Sequence, residues 1–92
     1  MPHLPDAHTI RDTLRALAHN RGAQASLCPS ELARTLGGMH WRDLMPAVRQ
    51  AASELARAGD VQVLQRGRVQ SPDGPWHGPI RIRWCKDPPA AD

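Results

Sequence analysis

Glycine and proline set the tightest limits on what this chain can fold into. Gly22, the Gly37–Gly38 pair and Gly59 stop helices, and Pro29 and Pro46 suit a helix only at its first turn. Residues 66–79, "RGRVQSPDGPWHGP", hold so many of both that they read as an irregular loop. Between these marks the apolar residues change period. Residues 5–22 place Ile10, Leu14, Leu17 and Ala18 at helical spacing, with Asp6 as N-cap and Gly22 as stop. "AQASL" is too short for a helix and reads as a small strand. "CPSELARTLGG" predicts a second helix with Leu32, Ala33 and Leu36 inward, and Glu31 early enough to favour the helix dipole.

Pro46 at a first turn places the third helix at 46–58, with "HWRDLM" as a tight approach to it or one helical turn of its own. Val48, Ala51, Ala52 and Leu55 make its buried face; Arg49, Gln50, Ser53, Glu54 and Arg57 face outward. "VQVLQ" and "IRIRW" alternate as strands do, the second with Ile80, Ile82 and Trp84 in the core and Arg81 and Arg83 in solvent. The order is α-β-α-α-β-β. It predicts an α+β winged helix-turn-helix: three helices with a small antiparallel sheet, the long loop forming the wing. At 92 residues the expectation is a single domain over 1–92, with an ordered core at about 6–85 and a flexible tail at 86–92.

Composition narrows the function classes. The chain has no Phe and no Tyr, so three Trp and the aliphatic residues must pack the core. No stretch nears the roughly 20 apolar residues of a membrane span, and "MPHLPDAH" lacks the pattern of a signal peptide. A soluble cytoplasmic protein with no membrane association is expected. Net charge is +3, and eleven of the twelve basic residues are Arg. Basicity favours a polyanionic partner, although genomic base composition alone would also favour Arg over Lys. Between Arg57 and Lys86 six basic residues face only two acidic ones, Asp60 and Asp73.

Three stretches, "CPSELAR", "WRDLMPAVRQAASELARAGDVQV" and "GPIRIR", together resemble a family of small bacterial domains of unknown function regarded as winged-helix-like. The resemblance covers roughly residues 8–85. It implies a fold and carries no activity, cofactor or ligand.

In a helix-turn-helix the second helix of the motif enters the major groove. Arg49, Gln50 and Ser53 would then read base edges, with Arg42 and the wing residues Arg66 and Arg68 on phosphates. The expected function is nucleic-acid binding, on double-stranded DNA with low sequence selectivity, in a role such as transcriptional regulation. The same side chains also fit an ordinary solvated helix face, and Asp43 and Glu54 nearby would repel phosphate. The competing expectation is a protein-interaction module that binds no DNA, anchored by Trp76 and His77 in the loop. The first helix, or an Ala-rich surface with Ala47 and Ala51, could instead pair two copies as a homodimer. Trp41 reads as the plug of the turn between the second and third helices.

Catalysis finds no support, since no phosphate loop and no Ser, His and acid set stands out. No cofactor and no metal is expected: the five His lack companions at zinc-ligand spacing. If "AQASL" pairs antiparallel with the last strand, Cys28 and Cys85 lie on the order of 14 Å apart at the usual strand rise, beyond disulfide reach.

Overall fold

Helix α1 spans Ala7–Arg21 in the computed structural model, which describes residues 5–86. The tail expected at 86–92 lies, beyond Lys86, outside the described residues. Both ends of α1 follow from local chemistry. Asp6 accepts the Thr9 N–H at 2.8 Å, and that bond holds its carboxyl below the ordinary value. Gly22, at φ 76°, turns the chain away while its N–H bonds the carbonyls of Ala18 and His19.

Helix α2 covers Pro29–Gly37. Glu31 reaches back to the Cys28 N–H at 2.8 Å and grips Arg21 with both oxygens, at 2.6 and 3.1 Å. Arg21 first, and the Cys28 N–H second, keep the Glu31 carboxyl below its ordinary value. One carboxylate thus starts α2 and ties it to the end of α1.

The expectation of three separate helices is corrected. From Pro29 to Arg57 the backbone is helical without a loop: α2 passes through a 3-10 turn, Gly38–His40, directly into α3, Trp41–Arg57. Helix α3 therefore starts ahead of Pro46, which lies inside it. Proline in a helix interior costs about 3 kcal/mol through a missing N–H and a clash with the preceding turn. Two features offset this. Pro46 is exposed, and the turn before it buries Leu44, an exchange on the order of 1.5–3 kcal/mol for such a side chain. The join is tight. A Cβ on Gly37 would lie 2.8 Å from Leu44 Cδ1, and Gly38 sits at φ 53°, where side chains are strained.

The sheet has four antiparallel strands: β1 (Ser26–Leu27), β2 (Val61–Gln65), β3 (Arg68–Val69) and β4 (Arg81–Trp84), in the order β1-β4-β2-β3. Strand β3 corrects the reading of 66–79 as loop throughout. Arg66 and Gly67, at φ 51° and 80°, form a two-residue turn with both centres left-handed, the geometry that matches strand twist. Val61, Val63 and Ile82 line the inner face and meet Ile10, Leu14, Leu32, Val48 and Leu55 from the helices.

Trp84, expected in the core, is only half-buried. It stands at the rim, edge-on to His19 at 4.9 Å, with the Arg15 guanidinium 5.3 Å from its ring centre. Beside it Asp60 closes the junction of α1, β2 and β4. Its carboxylate accepts Arg15 Nε at 3.1 Å and lies 3.3 Å from Lys86 Nζ, and its carbonyl accepts the N–H groups of Cys85 and Lys86. The register puts Cys28 next to the start of β4 and Cys85 past its end.

Candidate nucleic-acid interface

The segment 70–80, which connects β3 to β4, folds back over the outer face of α3 as a strap. Arg49 holds it by main-chain carbonyls: Nη1 donates to Trp76 at 2.9 Å and Nη2 to Gly78 at 2.7 Å. Ser53 donates to the Pro72 carbonyl at 2.6 Å, and Arg57 pairs with Asp73 at 2.6 Å. From the sheet side, Gln65 donates to the carbonyls of His77 and Pro79 at 2.6 and 3.4 Å. Trp76 packs its ring against the core and gives its indole N–H to the Ser71 carbonyl at 2.8 Å. The strap is thus fixed along its length, with hydrogen bonds to charged donors at its centre.

The helix face expected to point outward is therefore divided. Ser53, expected in solvent, is 8% exposed because Pro72 covers it. The Arg49 guanidinium is engaged with the strap, while Gln50 stays exposed in the cleft between α3 and residues 73–76. Trp76 is half-buried, and His77 is exposed with its carbonyl on Gln65. Ala51, placed in the sequence reading on a pairing surface, is 3% exposed in the chain's own core, so it offers nothing to a second copy.

Arginine partners sort the surface more sharply than arginine positions. On the α1 side the carboxylates are matched: Arg11 lies by Asp12 at 3.7 Å, Arg15 and Lys86 by Asp60, and Arg21 by Glu31. Asp73 takes Arg57. Among the described residues no carboxylate lies within ion-pair distance of Arg34, Arg42, Arg66, Arg68 or Arg81.

These five fall in two places. Arg34 on α2 and Arg42 on α3 stack over Trp41, 4.6 and 4.4 Å from its ring centre, at the join of the two helices. Trp41 is half-buried against the core there, so it packs the join and also presents two guanidinium groups. Arg66, Arg68 and Arg81 line a groove beside the β2–β3 turn, together with Gln65, Gln70 and His77. Arg34 and Arg81 were not among the candidate site residues of the sequence reading. Arg34 lies on the outer side of a helix that was read only for its apolar stripe, and Arg81 was assigned to the solvated face of the sheet.

Among the described residues no group of three or more His, Cys, Asp or Glu is arranged to hold a metal ion, and no helix is long and apolar enough to cross a membrane. A comparison with curated proteins gives no match. Residues 7–85 match the family described as "Protein of unknown function (DUF3253)", and with nearly the whole described chain inside that match, the protein belongs to this family.

Proposed function

We propose that the domain is a winged helix that binds double-stranded DNA by its phosphates, with low sequence selectivity, in a role such as transcriptional regulation. In this reading α2, the 3-10 turn and α3 are the helix-turn-helix, and the β2–β3 turn with the strap is the wing. The observation that carries it is the sorting of arginines. Carboxylates consume the basic residues around α1, and Arg34, Arg42, Arg66 and Arg68 remain at the helix join and the wing. Unpaired guanidinium groups on protruding elements suit phosphate contact, which positions a protein on a duplex without reading sequence.

Low selectivity follows from the strap. Arg49 and Ser53, two of the three side chains expected at base edges, are bonded to strap carbonyls, which leaves Gln50. A single Gln distinguishes little more than one adenine. The DNA reading is favoured over the protein-interaction alternative because Trp76, half-buried, packs partly on the core and gives its N–H to Ser71, which leaves His77 as the exposed member of that pair.

The test is fluorescence anisotropy of a labelled mixed-sequence duplex over a range of salt. Four arginines on phosphates give log K against log salt a slope of about −3.6. Arg42→Ala combined with Arg66→Asn should reduce that slope to about −1.8. Absence of binding at low salt would overturn the proposal.

A further inference from the structure

We propose that the strap is a latch over a guanine-reading face of α3: closed, it occupies Arg49, and its release gives the domain sequence selectivity. The assignment rests on the nucleic-acid reading of the domain and names how that same site is regulated. Three side chains on the outer face of α3 hold the strap. Arg49 bonds the carbonyls of Trp76 and Gly78, Ser53 that of Pro72, and Arg57 the Asp73 carboxylate.

The strap offers these side chains the acceptors that a duplex would offer. Arg49 donates through Nη1 and Nη2 to two carbonyls, at 2.9 and 2.7 Å. The major-groove edge of guanine makes the same demand, with O6 and N7 as two acceptors for one bidentate Arg. Arg57 rests on a carboxylate, and phosphate is the other anion that suits a guanidinium. Asp73 is the one acidic residue between Val61 and Lys86, and it lies in the strap against this helix. Exchanging strap for duplex therefore gives each of these α3 donors a new acceptor of a similar kind.

The strap is also held in a way that lets it go. No residue from Gln70 to Pro79 is buried, and Trp76 is half-buried. Residues 71–79 form no helix or strand. Among the described residues their one hydrogen bond from main chain to main chain is local, from the Gly74 N–H to the Ser71 carbonyl. A segment with little buried apolar surface and exposed bonds opens at low free-energy cost relative to the core. Arg57 and Asp73 pair with both side chains more than half exposed, so salt and a competing phosphate weaken that end. The cleft between α3 and residues 73–76 is lined by Arg49, Gln50 and Arg57, which gives an incoming strand a side from which to displace the strap.

The experiment uses the full chain and two mixed-sequence duplexes, one with guanine and one with 7-deazaguanine, which lacks the N7 acceptor. The parent should bind both within about twofold, because phosphates carry the contact. Asp73→Lys sets a like charge against Arg57 and should quicken amide exchange at 71–78. Its added charge raises affinity for both duplexes, and the guanine duplex should now bind about tenfold tighter than its analogue. Arg49→Met in that background should return the ratio to about one while the strap stays free. A ratio that persists without Arg49 overturns its role as the reader. Equal affinities of Asp73→Lys for the two duplexes, with exchange quickened, overturn the latch and leave phosphate binding in place. Unchanged exchange in Asp73→Lys makes the strap a fixed part of the fold and overturns the latch as well. So does a parent that already discriminates tenfold, since it reads guanine with the strap closed. No binding by either protein at low salt overturns the nucleic-acid reading and the latch with it.

Discussion

The α1 flank and the wing flank of this molecule treat the same residue type in opposite ways. Around α1, Arg15 and Arg21 face carboxylates at 3.1 and 2.6 Å, and each ion pair ties α1 to another part of the fold. At the wing, Arg66 and Arg68 face no carboxylate among the described residues, and Arg81 leans on a serine. Basic composition alone would treat these arginines as equal. Partnership separates those that hold the fold from those available to a ligand, and Arg49 belongs with the first set although it sits on the helix nearest the second.

Four substitutions would break or sharpen this contrast. Asp60→Ala should have the largest effect on stability. It strips the acceptor from Arg15 and Lys86 at a buried junction, and a loss of about 2–3 kcal/mol is expected in denaturant unfolding, with duplex affinity unchanged in the folded protein. Arg49→Met comes next. It removes two charged donors from the strap and should cost about 1.5–2 kcal/mol. Amide exchange at 71–78 should then quicken more than exchange in the core strands.

Glu31→Gln should act mainly through pH. The Glu31 carboxyl is held below its ordinary value of 4.5 in the folded chain, so its contribution is present above that value and is lost as pH falls through the folded pKa. The variant should therefore show a shallower loss of thermal stability on the acid side, and the effect is limited because both partners are partly exposed. Arg66→Asn should be smallest in stability, within about 0.5 kcal/mol of the parent, because Asn tolerates the left-handed turn. Its effect should fall on duplex affinity instead. A large drop in melting temperature would place Arg66 with the structural arginines and dissolve the contrast.

Much of the fold could be read from local chemistry. Asp6, Gly22 and the alternation of Ile80 and Ile82 each encode their role within a few residues, and the structure uses them so. The start of α3 could not be read that way. Pro46 argues for a boundary on propensity, and the burial of Leu44 overrides it through a contact that only the folded join supplies. Strand β3 was hidden because its turn places an arginine where sequence rules expect Asn, Asp or Gly. The strap was hidden for another reason. Arg49 and Ser53 bind main-chain carbonyls 27, 29 and 19 residues away, and a carbonyl leaves no mark in a sequence. The candidate site was legible as a set of basic residues, but not in its division between latch and ligand.

The stack at the helix join also has a mechanical side. Arg34 belongs to α2 and Arg42 to α3, and both lean on the one indole at the bend between them. No loop separates the two helices, and the 3-10 turn that joins them begins at Gly38, at φ 53°. An anion drawn between those guanidinium groups would splint the bend rather than swing one helix against the other. The free energy of such a contact would therefore appear as added rigidity of the whole 29–57 span.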